Sequence, residues 1–192
     1  SSPSQGSGLE HRRRPRGVNG DISVAVLPIV LVSDHNDVLT TKAIRVPRVD
    51  DEIRRLMDDM VETMFEANGV GLAAPQVGVS LRVIVLRVDN QIYQLANPEM
   101  VRTDGDQTGF EGCLSVPGWV GEVTRRMRVV AKGLNRHGKE VRVKGDGLLA
   151  RAVQHELDHL DGILFTSRVN EGTLREVEPA EEAEEPGVVS AV

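Results

Sequence analysis

The stretch His155-Glu156-Leu157-Asp158-His159 carries the residue types of hydrolytic metal chemistry. On a helix, side chains four apart stack on one face, so His155 and His159 can grip one metal ion together. Glu156 sits one step round, near enough to exchange protons with a water on that metal. Two histidines need at least one further ligand. The chain's single cysteine, Cys113 in Glu111-Gly112-Cys113-Leu114-Ser115, can supply a thiolate. A lone cysteine is usually a small buried hydrophobe, but His-Glu-x-x-His downstream in the same chain argues for a ligand here. A third stretch, Gly69-Val70-Gly71-Leu72-Ala73-Ala74-Pro75-Gln76-Val77-Gly78, is built of small residues that let another backbone approach closely. By itself it reads as a tight turn, and no Lys-Ser/Thr follows to make a phosphate loop. Gln76 is its polar exception, with an amide able to donate to a developing oxyanion.

These residues need elements to hold them. The chain from 148 to 160 reads as the helix bearing His155 and His159, opened by Gly145-Asp146-Gly147 and stopped by Gly162. Leu148, Ala152, His155 and His159 share one stripe of it. Leu149, Val153 and Leu160 lie beside that stripe, so this helix belongs at the centre of the fold. Residues 50–67 form a second, amphipathic helix, with Ile53, Leu56, Met57, Met60, Val61, Met64 and Phe65 on one face. Asp50 and Asp51 offer its N-cap, and Asn68-Gly69 its stop. Residues 82–88 and 91–96 read as strands joined at Asp89-Asn90. Residues 122–131 and 139–144 read as another pair, joined across Asn135-Arg136-His137-Gly138. Residues 22–32 are apolar and extended, with Pro28 keeping them at an edge or irregular. The polar run from Thr103 to Gly109 reads as a loop.

Composition limits what the chain can be. It has 192 residues, 40% hydrophobic and 3% aromatic, which suits one compact domain with an aliphatic core. The net charge of −6 lies entirely after residue 170, where seven acidic residues face one basic residue. The balanced body lacks the basic face that nucleic-acid binding needs. One cysteine excludes an intramolecular disulfide and fits a reducing compartment. No apolar run reaches the length of a membrane helix. His11, His35 and His137 lie in polar segments or a turn and are not read as ligands. Residues 1–20 read as a disordered basic tail, 21–170 as the catalytic domain, and 171–192 as an acidic disordered tail.

The three chemical stretches together resemble the peptide deformylase family. Gly69 through Gln76 matches its Gly-apolar-Gly-apolar-Ala-Ala-x-Gln motif, Glu111 through Ser115 its Glu-Gly-Cys-apolar-Ser, and Gln154 through Leu160 its Gln-His-Glu-apolar-Asp-His-Leu. The resemblance covers roughly residues 26–168. It implies an α+β fold of mostly antiparallel sheets packed around a central helix carrying His-Glu-x-x-His, plus one long amphipathic helix in the N-terminal half. It implies Cys113, His155 and His159 as metal ligands and Glu156 as general acid/base. Gln76 and the Leu114 N–H would form an oxyanion hole. Gly69, Val70, Gly71, Leu148 and Ala152 would line the substrate site. The implied cofactor is one divalent metal ion, Fe²⁺ first, with Zn²⁺, Ni²⁺ or Co²⁺ as alternatives. The implied reaction removes the formyl group from N-formylmethionyl nascent peptides. With it come a monomer, transient ribosome association, no nucleic-acid or membrane binding, and a bacterial cytoplasm or organelle matrix. Two departures stand out: Trp119-Val120-Gly121 replaces an Arg or Tyr that many members carry there, and Val38-Leu39-Thr40 lacks a common Arg.

Two other readings share the central motif. A metallopeptidase cutting internal bonds would take a third ligand from a downstream Glu or His, and the acidic residues available begin at Glu171. A structural metal site would fill four positions with side chains and leave Glu156 idle.

Overall fold

The computed structural model describes residues 24–178 and 188–189. Two helices pack on a largely antiparallel sheet. Helix α1 spans Asp51–Glu66. The Asp50 side chain accepts from the Ile53 N–H at 3.0 Å, and Asp51 and Glu52 place negative charge on the first turn. Asn68 turns left-handed after the last turn, and the Gly69 N–H closes back on the Met64 carbonyl at 2.8 Å. The buried stripe is Ile53, Met57, Met60 and Met64; of the other residues the periodicity put on that face, Leu56 and Val61 are partly buried and Phe65, at the last turn, is exposed.

The sheet runs β1 (Gly71–Ala73), β2 (Val83–Val88), β3 (Gln91–Cys113), β4 (Val116–Leu134) and β5 (Glu140–Asp146), in that order and antiparallel throughout. Strand β6 (Arg175–Glu176) pairs with β4, and β7 (Val188–Val189) runs parallel to Phe110–Glu111 of β3. Helix α2 spans Gly147–Leu160. The two helices bury opposite sides of β2. Val83 and Val85 join the α1 core with Met57 and Met60, while Ile84 and Leu86 join the α2 core with Ala152, Val153 and Leu160. That explains why β2 reads as a continuous apolar run rather than an alternation. Asp89 and Asn90 both take positive φ in the two-residue turn between β2 and β3.

Two boundaries differ from the sequence reading. Thr103–Gly109 is not a loop but the middle of β3, paired with Val123–Val129 of β4. Its polar residues form cross-strand pairs: Asp104 with Arg128 at 2.6 Å, Asp106 with Arg126 at 2.8 Å, and Thr108 with Thr124 at 3.0 Å. The ordered chain also continues past residue 170. The Asn170 N–H bonds the Glu122 carbonyl, Arg175–Glu176 add to the edge of β4, and Val177 is buried. An edge strand with open hydrogen-bonding groups accounts for that continuation. The expected tail at 1–20, and the acidic tail beyond Glu178 apart from Val188–Val189, lie outside the described residues.

The N-terminal segment is extended but not a strand. Its Val30 N–H donates to the Gln76 carbonyl at 2.7 Å, and its Val32 N–H to the Ser115 carbonyl at 2.9 Å. It thereby braces two of the three chemical stretches from outside.

Candidate metal centre

Cys113 ends β3, where Leu114 and Ser115 make the turn into β4. A register shift between Glu111 and Cys113 breaks the ladder just before it. His155 and His159 lie one turn apart on α2, with ring centroids 5.0 Å apart. Ligand atoms of Cys113, His155 and His159 all lie within 4.8 Å of one another, and all three side chains are buried. The Cys113 Sγ is 3.3 Å from His159 Nε2. Burial pushes the Cys113 thiol up to about 12. Burial also holds His159 well below the usual imidazole range, with the nearby His155 and Arg125 adding to the effect. A neutral imidazole is the form that ligates.

An ionic network backs the centre. Glu111 Oε1 is 2.8 Å from His155 Nδ1. Arg125 donates to both Glu111 oxygens, at 3.0 and 2.9 Å, and Arg151 donates to Oε2 at 2.6 Å. Burial alone would raise the Glu111 carboxyl, but hydrogen bonds from His155 and Arg125 hold it far below the ordinary range. An ionised Glu111 needs the His155 proton on Nδ1, which leaves the Nε2 lone pair free for a metal. That Nε2 is buried and makes no hydrogen bond among the described residues. A thiolate and two imidazoles suit Zn²⁺, Fe²⁺, Ni²⁺ or Co²⁺, and three protein ligands leave a position for water or substrate. The residues present therefore fit a bound divalent metal.

Glu156 is buried, and neither carboxylate oxygen has a hydrogen-bond partner among the described residues. Burial first, and then the charge of Glu111, raises its pKa well above the carboxylate range. A carboxyl so raised is a stronger proton acceptor than an ordinary carboxylate. A Cβ on Gly71 would stand 2.6 Å from Glu156 Oε1, so the glycine makes room for this carboxylate. Gln76 is also buried. Its Oε1 accepts from the Ala73 N–H at 2.9 Å, which turns the amide NH₂ toward Cys113 Sγ at 3.6 Å and Ser115 Oγ at 3.2 Å.

The remaining residues singled out by sequence are placed unevenly. Leu114 sits in the turn beside Cys113 and packs against the α1 core. The Gly69 N–H closes helix α1, and Gly71 pairs with Leu86 on edge strand β1. Val70 packs against the cluster that contains Ala152. Leu148 lies apart from that cluster. It is 40% exposed and opens onto a depression of about 650 Å³ lined by Val88, Arg102, Lys144 and Leu149, away from Cys113 and His155.

Sequence reasoning gave Glu111, Arg125, Arg151, Asp158 and Arg168 no role. Asp158 accepts from Arg125 at 2.6 Å and from Arg168 at 2.6 and 3.0 Å. Arg151 stands four residues before His155 on α2, a spacing that was visible in the sequence. The Arg125 partners are 14 and 33 residues away, and nothing local signals them.

Comparison with known proteins agrees with this geometry. The family described as polypeptide deformylase matches residues 26–175. The peptide deformylase of Thermomicrobium roseum is 48% identical over 162 residues, spanning 79% of this chain and 92% of that protein. That of Acetivibrio thermocellus is 53% identical over 136 residues, spanning 71% of this chain and 80% of that protein. Among solved structures, the peptide deformylase of Ehrlichia chaffeensis in complex with actinonin superposes with a TM-score of 0.74 at 39% identity, covering 77% of this chain and 91% of that one. With the family matched across the fold and all three chemical stretches, the chain belongs to the peptide deformylase family.

Proposed function

We propose that this chain hydrolyses the N-formyl amide of N-formylmethionyl peptides, with Cys113, His155 and His159 holding one divalent metal. The observation that carries this reading is the convergence of those three side chains beside the buried, unpartnered Glu156 carboxylate. A metal bound there supplies Lewis acidity, polarising a carbonyl and lowering the pKa of water from about 15.7 toward about 7. Glu156 takes the proton from the attacking water and holds it in its apolar surroundings. It then passes that proton to the departing amine, which leaves formate and a free N-terminus. The Gln76 amide donates to the oxygen that gains charge as the formyl carbon becomes tetrahedral, with the Leu114 N–H as second donor. One such donor is typically worth about 3–4 kcal/mol. The Glu111 carboxylate keeps the His155 ring in the tautomer and orientation that ligation needs.

Substrate fit follows from the fold. Strand β1 is an edge strand with β2 on one side, so an extended peptide can add along Gly69–Gly71. Val70 and Ala152 supply apolar wall for a methionine side chain, and Leu148 would contribute only by closing over substrate. Fe²⁺ is the metal we favour, as the family resemblance implies, and the thiolate–imidazole set accepts it as it accepts Zn²⁺, Ni²⁺ or Co²⁺. Action as a monomer in the bacterial cytoplasm, in transient contact with the ribosome, completes the reading. The bacterial source of the similar proteins supports the bacterial part of that reading. No helix among the described residues is long and apolar enough to cross a membrane.

Two variants test the roles. Glu156→Gln should retain metal and lose turnover by roughly 10²–10⁴-fold, whereas Cys113→Ala should lose the metal itself. Metal content by mass spectrometry, read beside formate release, separates the two. Full turnover in Glu156→Gln would remove Glu156 from the reaction.

A further inference from the structure

Arg151 lies one turn before His155 on α2, and its side chain is 3% exposed. Its bonds do not go to one partner. Nη1 donates to Glu111 Oε2 at 2.6 Å and to the Val123 carbonyl at 3.0 Å, and it reaches the Gly109 carbonyl at 3.4 Å. Nη2 reaches Gln107 Oε1 at 3.4 Å. Gly109 and Val123 face each other across the β3–β4 ladder. A Cβ on Gly109 would stand 3.2 Å from Nη2, so the ribbon backbone closes directly on the guanidinium.

This arrangement exceeds what charge neutralisation requires. Arg125 already donates to both oxygens of Glu111. What Arg151 adds is a tie between the main chain of the β3–β4 ribbon and the helix that carries both histidines. Cys113 lies four residues beyond Gly109 on the same strand, and Glu111, between them, contacts His155 Nδ1. One buried guanidinium thus spans the two elements whose separation fixes the sulfur-to-imidazole geometry. A guanidinium brings five donors in a fixed plane to these acceptors, where an ammonium brings three on a flexible stem.

We propose that Arg151 is a positioning residue that sets the Cys113 strand against the His155 helix, and thereby sets metal affinity and coordination geometry. This rests on the reading of Cys113, His155 and His159 as ligands. The test uses the full chain. Zinc affinity is measured by competition with a chromophoric chelator, and coordination geometry from the visible absorption of the cobalt-loaded protein. Residues acting on a metal through its ligands typically change affinity by about 10–100-fold. Arg151→Met should weaken zinc binding within that range and shift the cobalt bands. Arg151→Lys should fall between Arg151→Met and the parent. If Arg151→Met does not fold, Gly109→Ala replaces it: a methyl against the guanidinium keeps every charge and should weaken zinc binding in the same direction. A merely structural role would lower the melting temperature of the metal-free protein while leaving zinc affinity and the cobalt spectrum as in the parent, and that result overturns the proposal. Cys113→Ala is measured alongside. If it too binds zinc like the parent, the ligand assignment has failed; if it alone loses zinc, only the role of Arg151 has.

Discussion

Gly71 shows how little room surrounds the proposed proton carrier. Its missing side chain leaves the space that Glu156 Oε1 occupies, since a Cβ would approach to 2.6 Å. Sequence motif alone assigned this glycine to the substrate backbone, and the structure adds a second demand on it. Gly71→Ala should therefore displace the Glu156 carboxylate while sparing the three metal ligands. A misplacement of about 1 Å at a reacting group costs on the order of 10²-fold. We expect kcat to fall by roughly that factor with metal content unchanged, as read by steady-state formate release and metal analysis. Unchanged kcat would show that the carboxylate can shift without consequence. Cys113, His155, His159 and Gln76 were all legible as chemistry because their types are informative and their spacing is short or motif-bound. Glu111 was not, because a buried acid next to a glycine looks like any other acid until its arginines are known.

Helix α1 supplies none of the three candidate ligands, yet Leu114, beside Cys113, packs against its core. Met57, Met60 and Met64 are fully buried against β1 and β2. Met60→Ala should cost about 2–5 kcal/mol of stability, seen as a lower chemical-denaturation midpoint, with metal stoichiometry retained. A variant as stable as the parent would show that this core can collapse around the gap. The same helix is tied to the β4–β5 turn by Asp58, which accepts from Arg136 at 2.9 and 2.6 Å. That hydrogen bond, working against partial burial, lowers the Asp58 pKa below the ordinary 3.8. A carboxyl depressed by folding stabilises the fold above its unfolded value, and the contribution disappears as pH falls through the folded value. Because both side chains are partly exposed, the pair is worth no more than about 1 kcal/mol. Asp58→Asn should be less stable than the parent at pH 7 by up to that amount, with the difference shrinking as pH falls below 3.8 and through the lowered folded value. A constant difference across that range would contradict the assignment. Both helices and both short turns were legible, since periodicity and turn chemistry are local. The Thr103–Gly109 half of β3 was not. Neither of its faces is apolar, and what holds it is a set of pairs with β4, some 20 residues away.

Across the whole molecule, three segments far apart in sequence meet because the sheet is folded between two helices. Strand β1 brings Gly71, the single 3-10 turn after it brings Gln76, the end of β3 brings Cys113, and α2 brings both histidines and Glu156. The class of fold and the residues that meet at the centre could be read from sequence, since each motif carries its own residues. The buried ion pairs that hold the motifs together could not, because Arg125 shares the apolar face of its strand with Val123 and Val129, and its partners lie 14 and 33 residues away. It is buried only because Glu111 and Asp158 meet it there. The most direct measurement is formate release from formyl-Met-Ala-Ser, run anaerobically on iron-loaded protein beside a zinc-loaded sample. The expected result is one formate per free methionyl amine formed, faster with iron, and no cleavage of the unformylated peptide. No formate from either sample would contradict the assigned reaction.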